Sequence, residues 1–304
     1  MADQRAGGIA WTHETWNPLR GCSRVSAGCV NCYAERQAVR MAGKGQAYHG
    51  LVRMTSQGPK WTGKVDYDPD KALEPLRWRR PRRIFVNSMS DLFHEAFPVE
   101  QVAIIFAVMM LAQRHQFQVL TKRPERMRDL LVTQVFRSCV EREADELAVH
   151  VGYRGVQTGR WPLPNVWLGV SVEDQAAADE RIPLLLQTPA AVRWISAEPL
   201  LGPVSLVVPF AGAKVDACHG ALPGLPHLDW VVVGGESGPS ARVMWLDWAR
   251  DIVRDCRAAG VPVFMKQLGA RPLYGAAKSW PISDRAGKVM ADWPEELRVQ
   301  EWPR

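Results

Sequence analysis

Three of the six cysteines in this 304-residue chain fall within eleven residues, in the stretch GCSRVSAGCVNCYAE. Cys22, Cys29 and Cys32 are the residues whose type and spacing specify chemistry most directly. Thiolates this close in one loop can wrap an iron–sulfur cluster, and three ligands to a four-iron cluster leave one iron open to a small molecule. Zinc is a second reading. Cys29-Val-Asn-Cys32 has the spacing of a zinc knuckle, Cys22 supplies a third ligand, and His13, His49 or His94 would have to supply the fourth. No second C-x-x-C exists to complete a four-cysteine set. A third reading leaves three thiols and no metal. The other cysteines, Cys139, Cys218 and Cys256, are scattered and read as buried or inert thiols.

The elements that must position this loop follow from hydrophobic runs. Six apolar, β-rich segments begin at Arg83, Gln116, Asn165, Val192, Asp229 and Val261. Near-continuous apolar runs of this length suit strands buried on both faces, as in a parallel sheet. Helical patterns lie between them: Pro98 to Arg114, Pro124 to Val132, Asp174 to Gln187, and Leu246 to Ala259, which stops at Gly260. A seventh strand is expected around Thr15 to Arg20, just before the cysteines. Strands alternating with helices predict an α/β chain, a full or partial TIM-type (β/α) barrel of parallel strands with its cysteine-rich loop after the first strand. One barrel-like domain is expected over residues 1–270, with excursions near 40–80, 133–164 and 207–228, and a C-terminal extension over 271–304. The stretch 133–164 reads as a charged helix followed by a Gly-rich loop.

In such barrels the chemistry sits at the C-terminal ends of the strands. Polar residues collect there. Asn87, Ser88, Ser90 and Asp91 end one strand; Thr121, Lys122 and Arg123 end the next. Ser171 and Glu173, then Ser196 and Glu198, then Glu236 and Ser237, then Lys266 and Gln267 end the remaining four. A purely structural barrel has no need of charges at so many strand ends.

Composition narrows the class. The N-terminal residues contain no apolar run of the signal-peptide kind. The longest apolar stretch, Val102 to Ala112, is too short to cross a bilayer and reads as a buried helix. A cytoplasmic protein without a membrane partner is expected. Six cysteines in a chain this long do not make a disulfide scaffold. The net charge of +6 and pI near 9.1 suit a nucleic-acid partner without requiring one. The run Arg77 to Arg83 would grip phosphates or form a solvated face before a strand. Some of the 13 tryptophans would stack on bases if they line a groove.

Several segments carry a resemblance: WNPLRGCSRVSAGCVNCYAER, DLFHEAF, VLTKRPERM, WLGVSVED, SAEPLLGPV, VVVGGESGPSAR and MKQLG. Together they resemble a bacteriophage and bacterial family of three-cysteine proteins whose activity is unknown. The loop and barrel resemble the radical S-adenosylmethionine superfamily. That superfamily has gaps of three and two residues between its cysteines; here the gaps are six and two.

The resemblance implies a four-iron four-sulfur cluster on Cys22, Cys29 and Cys32, bound S-adenosylmethionine, its reductive cleavage, and hydrogen abstraction from a substrate. It further implies an electron-donor protein. Nucleic acid or a nucleotide is the expected substrate class, and a partner protein is a further expectation. Tyr33 stands beside Cys32, near where the superfamily places an adenine-packing aromatic. Ser88, Ser90 and Asp91 occupy the place of its amino-group-binding motif. Lys122 and Arg123 would hold a carboxylate or phosphate. Ser171, Glu173 and Glu198 would bind ribose hydroxyls, and Glu236 and Lys266 would be the catalytic contacts to substrate. Two rivals stay open. One is a zinc-stabilised nucleic-acid-binding protein without catalysis. The other is a hydrolase or lyase barrel in which Glu and Lys do acid–base work.

Overall fold

The computed structural model describes residues 8–152, 160–220 and 226–303. Seven strands form the main sheet: β1 (Glu14–Trp16), β2 (Arg83–Val86), β3 (Gln116–Thr121), β4 (Val166–Ser171), β5 (Val192–Ala197), β6 (Trp230–Gly234) and β7 (Val263–Gln267). They lie in the order β1-β2-β3-β4-β5-β6-β7. The fold is α/β, a partial TIM-type barrel of parallel strands with helices interleaved. The helices longer than four residues are α1 (Tyr33–Ala38), α2 (Val99–Leu111), α3 (Pro124–Leu131), α4 (Gln134–His150), α5 (Gln175–Gln187) and α6 (Leu246–Ala259). None of the described helices is long and apolar enough to cross a membrane. By compactness the chain divides into two units: residues 1–168 with 188–191, and residues 169–187 with 192–304.

In the first unit, the parallel register sets Trp16 beside Val86 and Val86 beside Val119. Trp16, Ile84, Val86, Phe117 and Val119 therefore share one face, because side chains alternate along a strand. Trp16 and Phe117 pack at 5.7 Å, and the Trp16 indole donates to the Lys71 carbonyl at 2.7 Å. The opposite face carries Phe85, Asn87 and Gln118, with Trp11 edge-on to Phe85 at 4.7 Å. Helix α2 is apolar nearly all round, which suits a helix enclosed on every side, and nine of its residues are buried. Its Phe106 meets Phe136 of α4 at 5.6 Å. Helix α4 starts where Thr133 accepts from the Phe136 N–H and accounts for the charged run read from sequence. The Gly-rich loop expected after it falls largely on residues 153–159, outside the described residues.

The first strand is shorter than its sequence suggests. Only Glu14–Trp16 joins the sheet. Pro18, which has no N–H to offer a ladder, turns the chain, and Leu19–Arg20 pair antiparallel with Asp66–Tyr67 instead. Gly21 returns to bridge Ser90. The excursion after the cysteines contains the hairpin Val52–Thr55/Gly58–Trp61. Tyr48, Leu51, Val52 and Trp61 from this excursion form a small core with Ala34, Ala38 and Met89, and Cys22 and Cys32 pack against it.

In the second unit, Trp194 lies beside Trp230 and Val232 beside Phe264. The two indoles meet at 5.3 Å. Gly169 makes room for this pair, since a Cβ there would sit 2.5 Å from the Trp194 ring. Helix α5 opens where Asp174 accepts from the Ala177 N–H at 2.9 Å. Helix α6 buries Leu246, Ala249, Ile252, Val253 and Cys256, a 3.6-residue stripe, and ends at Gly260 in the left-handed conformation.

The excursion near 207–228 holds a hairpin, Val207–Phe210 with Ala213–Asp216; its residues 221–225 lie outside the described residues. The C-terminal extension, patternless in sequence, covers the open edge of β7. The Met265 N–H donates to the Val299 carbonyl at 2.9 Å, the Glu301 N–H donates to the Val263 carbonyl at 3.0 Å, and Trp302 packs on Phe264 at 5.0 Å. An uncovered edge strand would be free to pair with another chain.

Candidate functional site

The cysteine loop is placed by its first residue. Gly21 has φ +85°, and a Cβ there would meet the Lys64 carbonyl oxygen at 2.2 Å, so only glycine lets the loop pass the excursion at Lys64. Asn17 ties the strand-end turn to the loop by accepting from the Ser88 hydroxyl at 3.1 Å and the Met89 N–H at 3.0 Å. The Ser90 hydroxyl donates to the Leu19 carbonyl at 2.7 Å, and the Tyr33 hydroxyl to the Ser88 carbonyl at 2.5 Å. The hydroxyls of Ser88 and Ser90 thus anchor the chain segments that frame the cysteines.

Around Cys22, residues far apart in sequence converge. Asp91 is buried and accepts four hydrogen bonds: from the Thr121 hydroxyl at 2.7 Å, the Phe93 N–H at 3.0 Å, the Lys122 N–H at 3.1 Å and Arg123 at 3.1 Å. Arg123, also buried, spends its N–H groups on protein. Nε donates to Glu95 at 2.9 Å, Nη1 to Asp91 and to the Cys22 sulfur at 3.9 Å, and Nη2 to the Ser23 carbonyl at 3.3 Å and hydroxyl at 2.7 Å. All five donors of a guanidinium are then engaged. Burial works against this charge, but Asp91, Cys22 and Glu95 more than offset it and raise the Arg123 pKa.

His94 completes the cluster. Its Nδ1 accepts the Ala96 N–H at 3.1 Å, which assigns the proton to Nε2, and Nε2 donates to the Ser23 hydroxyl at 2.9 Å. Burial and then the Arg123 charge hold its pKa below the ordinary histidine value. Of the three histidines considered as a fourth zinc ligand, His94 alone is joined to the cysteine loop by a hydrogen bond among those described. His13 is engaged with Arg83 at the far end of β2, and His49 with the Ala42 carbonyl.

The three thiols influence one another. Burial, followed by the charge of Asp91, pushes the Cys22 thiol up to about 12; Arg123 pulls it down, and Cys32 and Cys29 push it up further. Burial likewise raises Cys32, while the N–H groups of Glu35 and Ala34 oppose the rise. Beside them, Glu35 is almost wholly buried and grips Arg24 through both oxygens, and it accepts the Trp61 N–H at 2.9 Å. Among the described residues, no group of three His, Cys, Asp or Glu side chains stands in metal-holding geometry as it is. Thiols are the donors a soft metal takes; Cys22 and Cys32 pack on one small core, and the Arg123 guanidinium stands against the Cys22 sulfur alone.

Two further buried polar side chains stand at and near strand ends: Asn87, one of the polar strand-end residues read from sequence, and Gln118, which carries no signal there. The carboxamides of Asn87, at φ 59°, and Gln118 are buried, and neither has a hydrogen-bond partner among the described residues.

The second unit gathers the later strand ends. The parallel register shifts between Val233 and Gly234, so that Gly234 pairs with Gln267. Bulges of this kind re-aim side chains at strand ends. Lys266 donates to both oxygens of Glu198, at 2.7 and 2.8 Å, and Gln267 spans Glu198 and the Gly235 carbonyl. Gly234 lies against Glu198, whose Cδ would be 3.3 Å from a Cβ at that position. Glu236 is held elsewhere: Arg242 donates to it through its backbone N–H, Nε and Nη2 at 2.8, 3.1 and 2.7 Å. The structure therefore pairs Lys266 with Glu198 and gives Glu236 its own arginine. Glu173 is buried against Arg181 at 2.9 Å, and Arg181 also donates to the Ser171 carbonyl at 2.8 Å. Ser196 is buried on the face of Trp194.

A family model described as a protein of unknown function (DUF5131) matches residues 6–292. No curated protein and no solved structure matches the chain.

Proposed function

We propose that this chain, which belongs to the DUF5131 family of proteins of unknown function, is an enzyme of the radical S-adenosylmethionine type. Cys22, Cys29 and Cys32 would hold a four-iron four-sulfur cluster. Bound there, a cluster supplies the electron that cleaves S-adenosylmethionine.

The observation that supports this reading is the convergence on the cysteine loop. Asp91, His94, Glu95 and Arg123 come from two strand ends and meet at Cys22 and Ser23. Metal ligands are commonly oriented and tuned by such outer partners. Arg123 lies at hydrogen-bonding range of one sulfur, where its charge opposes, without overcoming, the burial and the Asp91 charge that favour the thiol. Because its donors face protein acceptors, Arg123 serves as a clamp on the loop, and the holding of a substrate carboxylate or phosphate falls to Lys122. Glu35 locks Arg24 and the hairpin behind α1, which keeps water from that side of Cys32. In the second unit, Lys266 carries the proton nearest to Glu198 and is the group able to move one to or from a bound substrate there.

The test is anaerobic purification followed by iron, sulfide and zinc analysis, with electron paramagnetic resonance of the reduced protein before and after adding S-adenosylmethionine. About four irons and four sulfides per chain, and a spectrum changed by the cofactor, are expected. One zinc and no iron after reconstitution would replace this reading with a zinc-stabilised binding protein. Activity that survives Cys29→Ala in a folded protein would point to acid–base chemistry instead.

A further inference from the structure

The net charge of the chain is not spread over it. Residues 20–64, the cysteine loop and the first part of its excursion, hold eight Lys and Arg against one acid, Glu35. That is a net +7 in 45 residues. The rest of the chain, with 30 basic and 31 acidic residues, is net −1. The one acid in the segment is buried and consumed by Arg24.

Elsewhere, several surface arginines are neutralised locally, although Arg77, Arg79 and Arg80 are exposed with no carboxylate partner among the described residues. Arg137 pairs with Glu141, Arg250 with Asp247 and Glu296, and Arg254 with Asp251 and Asp255. Within residues 20–64, Arg20 pairs with Asp66 and Asp68 just beyond the segment and Arg24 with Glu35. Arg40, Lys44, Arg53 and Lys64 are exposed and have no carboxylate partner among the described residues. On the hairpin, Arg53 lies directly opposite Lys60, a like-charge cross-strand pair on the face turned away from buried Val52 and Trp61. Like charges in register cost stability. Such a pair is tolerable at a surface that meets anions.

Apolar groups are interleaved with these charges. Tyr33, Met41 and Met54 are 44%, 40% and 65% exposed. The Tyr33 ring is fixed at the edge of the cysteine loop by its hydroxyl bond to Ser88. A basic track with exposed aromatic and thioether side chains is what an unpaired nucleic-acid strand requires: cations for phosphates and flat or soft surfaces for bases.

We infer that the excursion over residues 36–64 is a docking surface for single-stranded nucleic acid, placed beside the cysteine loop. This goes beyond the cluster reading and does not need it, because the charges are present whichever metal the thiols hold. Docking there would bring a nucleotide to the cysteines.

The experiment is fluorescence anisotropy with a labelled oligothymidylate of about 20 nucleotides, titrated with the full chain at several salt concentrations. It is run on metal-free and on reconstituted protein. Binding is expected in both, with an affinity that falls steeply as salt rises. In the quadruple variant Arg40→Gln, Lys44→Gln, Arg53→Gln and Lys60→Gln, affinity should drop about tenfold or more and the log–log salt slope should lose about 3 units. Arg254→Gln, on a neutralised surface, should bind as the parent does. Circular dichroism of the quadruple variant checks that it is folded; should it not be, the double variant Arg40→Gln, Lys44→Gln takes its place, with about half the change in slope. The inference is overturned if the parent fails to bind at about 50 mM salt. It is equally overturned if the substitutions leave the slope unchanged, or if the chain binds phosphatidylserine vesicles in a charge-dependent manner and ignores the oligonucleotide. A cluster that fails to assemble, with binding intact, would defeat only the radical reading.

Discussion

Arg123 reaches the sulfur of Cys22 across 101 residues of sequence, with Nη1 3.9 Å from Sγ and the same nitrogen 3.1 Å from Asp91. The guanidinium thus joins the cysteine loop to the ends of β2 and β3. Arg123→Gln leaves the Asp91 carboxylate buried without its counter-charge, and breaking such a pair costs about 3–5 kcal/mol. Urea denaturation of the metal-free protein measures it. Arg123→Lys keeps the charge but not the planar fork, and should recover only part of the loss. A variant that unfolds at the parental midpoint would show that the clamp is idle.

Two glycines with positive φ make a paired prediction. At Gly21 an added Cβ strikes backbone; at Gly50, φ +76°, it meets open space. Gly50→Ala should cost about 1–2 kcal/mol, the penalty of a left-handed alanine. Gly21→Ala should cost about 1–3 kcal/mol more, because the loop must be displaced from the Lys64 carbonyl. Under the proposed cluster reading, metal content after reconstitution should fall in Gly21→Ala alone. Equal stabilities would contradict the close approach.

His115 provides a pH test away from the cysteines. It is buried between Trp78 and Phe117, with Nε2 3.0 Å from the Pro75 carbonyl. Burial, and the charges of Arg114 and Arg82, lower its pKa in the fold. The unfolded chain then binds the proton more readily, so stability is retained above about pH 6.5 and is lost as pH falls from there toward the folded-state pKa. Between about pH 7 and pH 5, the urea midpoint of the parent should drop further than that of His115→Gln. Parallel curves would show that another group controls the slope.

Thiol accessibility separates the cysteines into two sets. Cys218 and Cys256 are buried, and a hydrogen bond between them, reinforced by burial, drives the Cys256 pKa far above the usual thiol range. Neither should react with iodoacetamide until the protein is unfolded, whereas Cys29 and Cys139, both partly exposed, should label in the native state. Mass spectrometry of the labelled peptides decides the point; native labelling of Cys256 would refute the packing.

Much of the fold is legible in the chain because parallel strands and enclosed helices leave coarse signals. Val166–Ser171 is buried at every position, and the uninterrupted apolar run of α2 shows the same enclosure in helical form. The strand ends also declare themselves, since polar residues end runs that must otherwise stay dry. The pairings do not. Lys266 meets Glu198, and not Glu236, through a register shift between Val233 and Gly234 that no periodicity records. Ser23 and Glu95 look like ordinary loop residues until the fold brings them to Arg123, and His94, one of three histidines considered as a zinc ligand, is the one that meets Ser23. The C-terminal extension touches β7 through a few backbone bonds around one bridge, too few to leave an alternating pattern.

Cys22 and Cys32 rest on side chains donated by the excursion, and Gly21 abuts its last residues. Under the proposed cluster reading, filling the thiols and holding the excursion closed become one equilibrium seen from two ends. Trypsin sites at Arg40, Lys44 and Arg53 lie on that segment, so the rate at which it is nicked becomes a gauge of occupancy. A loaded protein should resist cleavage there, and a chelated one should be cut first within the excursion, well before the strands of the sheet.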